Sequence, residues 1–249
     1  MYIDVPNLIN LSIVPGIGST KIRSLLAKFK STENIFSASN NELVTIEGID
    51  SKIARNIKNF SKFDFGEMQY ERAKKFNANV ITFWDEKYPI ALKKIHDPPI
   101  LLFMKGEIKE YDRFALAIVG TRNPSSYGKI IAEKIARELS GKGLTVVSGL
   151  ARGVDTIAHL TAINSSGRTL AIIGSGLDVI YPSENRKLYG QIPESGAVIT
   201  EFPMGTKPDA SNFPKRNRII AGLSMGTIVV EAGEKSGALI TANLALEYN

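Results

Sequence analysis

The residues with the clearest capacity for chemistry form one basic segment, Phe213-Pro214-Lys215-Arg216-Asn217-Arg218. Apolar residues follow it at helical spacing, which predicts a helix over residues 215–223. Pro214 suits the first position of that helix, because the N–H groups of a first helical turn have no intrahelical partner. Three cations would then lie where the backbone carries a positive partial charge, and such a place attracts anions, above all phosphates. A solvated charge run is the competing interpretation.

Alternating strands and helices surround this segment between residues 114 and 249. Short, wholly apolar stretches predict strands over residues 116–119, 144–147, 169–173, 197–200 and 227–230. Helices are predicted over residues 127–139, 154–163, 184–189, 215–223 and 238–246. Because each strand is apolar on both faces, the strands should form a parallel sheet that is covered by helices on both sides. The predicted fold class is α/β, with a Rossmann-like, doubly wound and mainly parallel sheet.

Polar segments with glycines follow the predicted strands, and the carboxyl ends of parallel strands share one edge of a sheet. The three clearest are Gly120-Thr121-Arg122, Ser148-Gly149-Leu150-Ala151-Arg152 and Gly174-Ser175-Gly176. Arginine adds full charge to the nearby helix ends, and its planar guanidinium can hold phosphate bidentately or stack on a base. The convergence of these segments with the basic helix favours a crevice for an anionic ligand over a solvated charge run.

Several familiar chemistries have no support in the sequence. The turn after the first strand lacks Gly-x-Gly-x-x-Gly, and no phosphate loop of the Gly-x(4)-Gly-Lys-Ser/Thr form occurs, which disfavours bound NAD or ATP. The chain has no cysteine and two histidines, which excludes disulfides, thiolate metal sites and a cysteine nucleophile and disfavours a histidine-rich metal site. We therefore predict no cofactor and no metal.

Acidic residues near the strand ends leave two functions open. His159 follows Asp155 by one helical turn, and we interpret the two as a buried, hydrogen-bonded structural pair. Asp178, Glu201 and Glu231 could cap helices, neutralise arginines, act as a base or hold a ribose hydroxyl. The alternative function is an enzyme that cleaves nucleotide N-glycosidic bonds with Glu201 and Glu231. The chain lacks the Pro-Gly-Gly-x-Gly-Thr-x-x-Glu turn of such enzymes.

Residues 1–75 predict a small helical domain with two similar glycine turns, each followed by a basic helix. Such turns let backbone N–H groups approach a phosphate closely, and the pair resembles helix-hairpin-helix motifs (a SAM-like domain). Asp50 stands where the second turn would have its second glycine. The candidate DNA-backbone contacts are Gly16, Gly18, Lys21, Gly48 and Lys52. Tight turns between packed helices are an equal alternative. Residues 76–113 predict a connector with short strands that packs on the main domain.

Composition is compatible with a basic, soluble protein. The formal net charge is +6, the sequence pI is about 9.3 and 43% of the residues are hydrophobic. This balance suits a nucleic-acid or phosphate partner without requiring one. No leader-like start and no apolar run of the length of a membrane span occurs. We therefore expect a cytoplasmic protein with no membrane association.

The motifs resemble those of the DNA processing protein A (DprA/Smf) family. They include the three glycine segments above, Ala158-His159, Tyr181-Pro182, Asn185, the run from Phe213 to Ser224 and Ser236-Gly237-Ala238-Leu239-Ile240-Thr241-Ala242, in the family's order. The resemblance implies a binding protein, not an enzyme. It implies sequence-independent binding of single-stranded DNA, protection of incoming DNA and assistance to the RecA recombinase in natural transformation. The implied DNA-binding residues are Gly120, Thr121, Arg122, Ser126, Ser148, Gly149, Arg152, Gly174, Ser175, Lys215, Arg216, Asn217 and Arg218.

The end of the sequence departs from the family pattern. The chain stops at Tyr248-Asn249, in a helix that should lead into another strand. We expect from this that the main domain, residues 114–249, is incomplete at its C-terminal end. Family members form homodimers, and an incomplete sheet would lack part of the surface used for it, so the oligomeric state is left open.

Overall fold

A seven-stranded sheet forms the centre of the protein. The computed structural model describes residues 3–234 and 236–248, and elements and contacts refer to those residues. The strands are β1 (Asn79–Thr82), β2 (Leu101–Gly106), β3 (Ala115–Gly120), β4 (Thr145–Ser148), β5 (Thr169–Ile172), β6 (Gly196–Thr200) and β7 (Thr227–Val230). Their order across the sheet is β1-β2-β6-β5-β4-β3-β7.

Helices precede the sheet and connect its strands. The first six are α1 (Val5–Ser12), α2 (Ser19–Phe29), α3 (Thr32–Ser37), α4 (Asn40–Leu43), α5 (Ser51–Lys58) and α6 (Phe63–Lys75). The others are α7 (Ile90–Lys93), α8 (Ser126–Gly141), α9 (Val154–Asn164), α10 (Arg186–Ser195), α11 (Asn212–Leu223) and α12 (Gly237–Tyr248). Short 3₁₀ helices occur at Glu110–Arg113 and Ser183–Asn185. Among residues 3–234 and 236–248, every helix is too short or too polar to span a bilayer.

The pairing of the strands confirms the predicted fold class. β3 to β7 run parallel to one another, as apolar strands joined by helices should. The connector does more than pack on this sheet: β2 pairs with β6, and β1 with β2, both antiparallel. Two reversals make β1 run in the same direction as β6. The end of β1 therefore lies at the same edge of the sheet as the ends of the parallel strands.

The helical domain packs directly on one face of the sheet. A single buried cluster joins Leu8 and Leu25 of the helices to Ile173 and Ile192 beside the sheet. A second cluster on the other side includes Ile219 of α11. The helices and the sheet thus share buried apolar surface, which favours a fixed relative position. The boundaries predicted near residues 75 and 113 stay predictions.

The basic helix begins earlier than the sequence indicates. α11 starts at Asn212 with Ser211 before it, so Pro214 is the third residue of the helix and not the first. A proline there still removes no hydrogen bond, because none of the first four N–H groups has an intrahelical acceptor. Lys215 and Arg216 consequently project from beyond the first three residues, which changes where their side chains can reach.

Candidate nucleic-acid interface

A two-lobed crevice opens at the ends of β3, β4 and β5, beside the start of α11. The inner lobe has a cavity volume of about 20 Å³ and the outer lobe about 480 Å³. The inner lobe has room for about one water molecule, so a nucleotide would have to occupy the outer one. Residues shared by both lobes are Arg122, Tyr181, Pro208 and Phe213. Gly149, Arg152, Gly174, Ser175 and Arg216 line the inner lobe only.

The floor of the crevice is a loop that two buried charges hold in place. Arg216 is 5% exposed and donates through Nη1 to the carbonyl oxygens of Gly149, at 2.5 Å, and Ile172. Asp155 accepts from the N–H groups of Gly149, at 3.1 Å, and Ala151, at 3.3 Å. The Gly149 peptide therefore joins the two charges. A Cβ at Gly149 would lie 2.2 Å from Nη1 of Arg216, so a side chain there would displace the guanidinium from its hydrogen bonds.

His159 fixes the next residue of the same loop. Its Nε2 accepts from the Leu150 N–H at 3.3 Å, and its Nδ1 lies 2.6 Å from the Thr169 hydroxyl. That hydroxyl donates to the Val146 carbonyl, so it accepts from a neutral imidazole that is protonated at Nδ1. Asp155 and His159 are both buried and hydrogen-bonded, as predicted, but each bonds to the loop rather than to the other.

Burial shifts the pKa values of these three groups. It lowers the pKa of His159 to about 3, with the nearby Arg216 charge acting in the same direction. It raises the pKa of Asp155, and the positive charge of Arg216 opposes that shift. It lowers the pKa of Arg216 to about 10, so the guanidinium stays charged at neutral pH. These groups support the loop, and none of them is free to hold a ligand by itself.

An exposed arginine and two aromatic rings form the mouth of the crevice. The guanidinium carbon of Arg122 lies 5.7 Å from the centre of the Phe213 ring. Tyr181, 41% exposed, lies beside that ring with centroids 6.0 Å apart. No carboxylate pairs with Arg122 among the described residues. This arrangement offers a free cation and apolar ring faces at one place. The sequence pointed to Arg122 and Phe213; Tyr181 entered only as a motif residue.

A second arginine at the crevice is already paired. Arg152 donates to one carboxylate oxygen of Glu184 through Nε, at 3.0 Å, and Nη2, at 2.5 Å. Hydrogen bonds from the Glu184 backbone and Arg152 hold the pKa of Glu184 below its usual value. Both side chains are more than half exposed. An incoming phosphate would compete with Glu184 for Arg152.

Backbone N–H groups add to the positive character of the crevice. Those of Gly174 and Ser175, directly after β5, have no acceptor among the described residues. The Ser175 hydroxyl donates to the Val179 carbonyl and is not available. Asn212 donates to the Gly174 carbonyl at 3.2 Å, which fixes this turn against α11. Unpaired amides of this kind can bind phosphate oxygens.

Two of the predicted cations lie away from the lining of the crevice. Arg218 pairs with Asp97, at 3.3 Å, and with Glu201. Lys215 is exposed. Burial raises the pKa of Glu201 and the Lys215 charge opposes that rise, which places Lys215 near the end of β6. Asn217 borders the outer lobe and donates to the Gly237 carbonyl at 3.2 Å, so it fixes the start of α12. Of the three described cations of the basic segment, Arg216 is the one that lines the inner lobe.

The remaining candidates have structural tasks near β3 and β4. Gly120 has the Val230 carbonyl 2.0 Å from where a Cβ would be. The Thr121 hydroxyl accepts from the Asn123 N–H at 3.2 Å, and the buried Ser148 hydroxyl donates to the Ile118 carbonyl at 2.6 Å. Ser126 is exposed at the first position of α8.

The carboxylates of the alternative enzyme are engaged elsewhere. Glu231 accepts from the Ser125 N–H at 2.8 Å and from the Ser125 hydroxyl, and these bonds lower its pKa. It thereby occupies the start of α8. Burial raises the pKa of Glu201, against the effect of its partner Arg218. Neither carboxylate lines the crevice.

The two glycine turns of the helical domain differ at the helix that follows. Gly16 and Gly48 have positive φ angles of 88° and 79°. Gly18 precedes α2 without a side-chain cap, so its first N–H groups are open. Asp50 caps α5 by accepting from the Ile53 N–H at 2.8 Å. Lys21 Nζ donates to the Gly16 carbonyl at 2.9 Å, whereas Lys52 is exposed. The first turn can take a phosphate; in the second, a carboxylate already fills that place.

Comparison with known proteins identifies the family. A family model described as DNA recombination-mediator protein A matches residues 79–249. The chain belongs to this family. A helix-hairpin-helix motif model matches residues 8–65, which confirms the assignment of the helical domain. The resemblance to the DprA/Smf family is also confirmed by relatives such as Protein Smf of Synechocystis, 40% identical over 246 residues and 96% of this chain.

Solved structures of the family extend the agreement to three dimensions. DNA processing protein A of Streptococcus pneumoniae has a TM-score of 0.84 and 33% identity, over 100% of this chain and 85% of that one. The Helicobacter pylori protein, whose structure is described for its single-stranded DNA binding mode, has a TM-score of 0.62 and 35% identity over 68% and 77%. The chain spans 61% of the Synechocystis protein and 57% of DprA of Bacillus subtilis, to which it is 45% identical over 68% of its own length.

Proposed function

We propose that this protein binds single-stranded DNA in the outer lobe of the crevice without reading its sequence. The observation that carries the proposal is Arg122, a cation without a carboxylate partner in the described residues, placed over the Phe213 ring that also lies beside Tyr181. Cations grip phosphates while ring faces accept any base, which is the general basis of sequence-independent binding to single strands. The family relative from Helicobacter pylori, described for single-stranded DNA binding, supports the same function.

Each part of the crevice has a task in this proposal. Arg122 and Arg152 contact phosphates, with Arg152 leaving Glu184 to do so. The open N–H groups of Gly174 and Ser175 receive phosphate oxygens from the narrow inner side. Arg216 acts indirectly, since its hydrogen bond to the Gly149 carbonyl holds the loop that forms the floor of the crevice. We assign Gly120, Thr121, Ser148, Gly149 and Asn217 to the support of this surface. Ser126, Lys215 and Arg218 lie outside its lining.

A titration with labelled oligonucleotides tests the proposal. We expect Arg122→Ala to weaken binding to an oligothymidylate by roughly 1–3 kcal/mol, the size of a lost charged or stacking contact. Affinity should fall with salt, with a log–log slope of about −0.7 per phosphate contacted. Lys142→Ala, which removes an exposed cation at the far end of α8, is the matched control. Salt-insensitive binding that Arg122→Ala leaves unchanged would refute the proposal.

The biological setting belongs to the same proposal. The family description names recombination mediation, and a mediator must hold a single strand and pass it on. We place the protein in the cytoplasm, where it would protect incoming DNA during transformation and assist RecA. RecA filament assembly on coated single strands should then accelerate with the protein and not with Arg122→Ala. No acceleration would contradict this role while leaving DNA binding intact. Dimerisation stays a prediction that sedimentation would test.

We also propose a binding protein rather than an enzyme. Glu201 and Glu231 are engaged with Arg218 and Ser125, and neither borders the crevice. Release of free base from a nucleoside monophosphate would contradict this part of the proposal.

A further inference from the structure

A second group of cations and aromatic rings lies at the end of β1, apart from the crevice. The Phe83 N–H donates to the Ile100 carbonyl at 2.8 Å, which continues the sheet by one residue. The guanidinium carbon of Arg23 lies 5.3 Å from the Phe83 ring centre, and Lys93 Nζ lies 5.4 Å from it. Trp84 meets the same ring edge-on at 5.4 Å. Residues from α2, α7 and β1 thus converge on one ring.

Within the described part of the chain, the two cations of this group have no carboxylate partner. Among the described residues, no carboxylate lies within 4.0 Å of Arg23 or Lys93. Nε of Arg23 is buried and has no acceptor among the residues that the structure describes. Arg218, by comparison, has two carboxylate partners. A ring face attracts each cation but does not cancel the repulsion between two of them. An anion bound by Arg23 or Lys93 would supply the missing counter-charge.

The position of this group relates it to the crevice. β1 runs in the same direction as β6, so Phe83 lies at the edge of the sheet where the crevice opens. Three strand spacings separate β1 from β5, which is about 14 Å. Lys215 is exposed near the end of β6, between the two places. Cations therefore recur along one edge, from the crevice to the helical domain.

We propose that Arg23, Lys93 and Trp84 form a second contact for the same single strand that the crevice holds. Arg23 and Lys93 take phosphates, and the half-buried Trp84 offers a ring for a base. Unpaired cations beside aromatic rings are the combination that single-stranded nucleic acid requires, whereas a duplex hides its base faces. Arg23 lies in α2, the helix that follows the open glycine turn. The contact would therefore join the helical domain to the bound DNA. This inference rests on the proposed function of the crevice.

Oligonucleotide length separates the second contact from the crevice. Oligothymidylates from about 4 to about 16 nucleotides cover the usual range of site sizes. Trp84 is the single tryptophan of the chain and reports from this place alone. We expect long oligonucleotides to change Trp84 fluorescence and short ones to bind, by anisotropy, without changing it. Inorganic phosphate is the probe for a simple anion site and should leave the emission unchanged.

Charge-removing variants give an independent measurement. The double variant Arg23→Gln, Lys93→Gln should weaken the binding of long oligonucleotides by roughly five- to tenfold and reduce the magnitude of their salt slope by about 1.4. It should leave the binding of short oligonucleotides unaffected. Lys62→Gln with Lys142→Gln removes two exposed cations elsewhere and is the matched control. Lys93→Gln alone, which leaves the helical domain unaltered, should give part of the effect.

The outcomes distinguish this inference from the proposed function. Suppose that short oligonucleotides bind in an Arg122-dependent manner, but long ones leave Trp84 fluorescence unchanged and bind the Arg23→Gln, Lys93→Gln variant as tightly as the unsubstituted protein. The second contact is then wrong, and DNA binding in the crevice remains supported. If short oligonucleotides do not depend on Arg122, the proposed function itself fails. Quenching of Trp84 by phosphate alone, with no dependence on oligonucleotide length, would also overturn the second contact.

Discussion

Arg216 should act on stability before it acts on DNA. Arg216→Met keeps the apolar stem of the side chain and removes the donors to the Gly149 and Ile172 carbonyls. A buried acceptor without a donor costs about 1–3 kcal/mol, and breaking a buried pair of charges costs about 3–5 kcal/mol. Arg216 and Asp155 attract each other, but among the described residues they form no direct ion pair and are joined by the Gly149 peptide, so we expect the lower end, roughly 3 kcal/mol. A domain has about 5–15 kcal/mol in total.

Urea unfolding measures this loss directly. The midpoint for Arg216→Met should fall while the slope of the transition is preserved, as in a change of stability alone. The matched variant is Arg122→Met, because Arg122 is exposed and makes no buried hydrogen bond. It should change stability by less than about 0.5 kcal/mol yet weaken single-stranded DNA binding by roughly 1–3 kcal/mol.

One result would refute this division of labour. If Arg216→Met unfolds at the same urea concentration as the unsubstituted protein and loses as much DNA affinity as Arg122→Met, then Arg216 contacts DNA directly. The clamp on the Gly149 peptide would then be dispensable.

Three further predictions concern the buried His159, the Glu184–Arg152 pair and the two glycine turns of the helical domain. The pKa of His159 is lowered to about 3 in the folded protein, so between about pH 6.5 and pH 3 the unfolded chain binds a proton that the folded protein does not. The free energy of unfolding should therefore be highest above about pH 6.5 and fall by up to roughly 4–5 kcal/mol as the pH drops toward 3. In urea titrations, His159→Gln should remove this pH dependence. Glu184→Gln frees Arg152 and should tighten single-stranded DNA binding by roughly two- to fivefold at low salt; unchanged or weaker binding would show that Glu184 does not compete. If the helical domain contacts DNA, Lys21→Gln should weaken binding by about two- to fivefold and Lys52→Gln should not, because only the first turn is open; equal effects in fluorescence anisotropy would rule out this asymmetry.

The pattern of apolar residues was sufficient for most of the fold. Most strands and helices of the main domain occur within a few residues of their predicted positions, because burial on both faces leaves a strand no polar alternative. The exception is α10, which ends at Ser195 and not at Tyr189 as predicted. The same local pattern misplaced the start of α11, since Pro214 is tolerated anywhere in a first turn. The connector strands were predicted, but their place in the sheet was not. Pairing with β6 is a contact between distant residues, which local sequence does not encode.

The candidate site shows where residue types are insufficient. Arg122 and Arg216 look equivalent in the sequence, as glycine-adjacent or clustered cations. The fold exposes the first and buries the second, at 5% exposure, against the Gly149 carbonyl. Arg218 was placed with them by proximity in the chain, but the helix turns it toward Asp97 and Glu201. A charge can be predicted from sequence; whether a carboxylate neutralises it depends on what folding brings near.

Motif order and apolar spacing are enough to assign the family and the parallel sheet, and to propose the edge of the sheet at which anions bind. Which of the described cations lack a carboxylate partner follows only from the folded arrangement. Lys215, Arg216 and Arg218 are neighbours in one basic segment, yet folding gives each of them a different environment. Folding also places Arg23 of the helical domain over Phe83, at the end of β1. Distances between residues far apart in the chain set those electrostatic partners, and no local pattern records them.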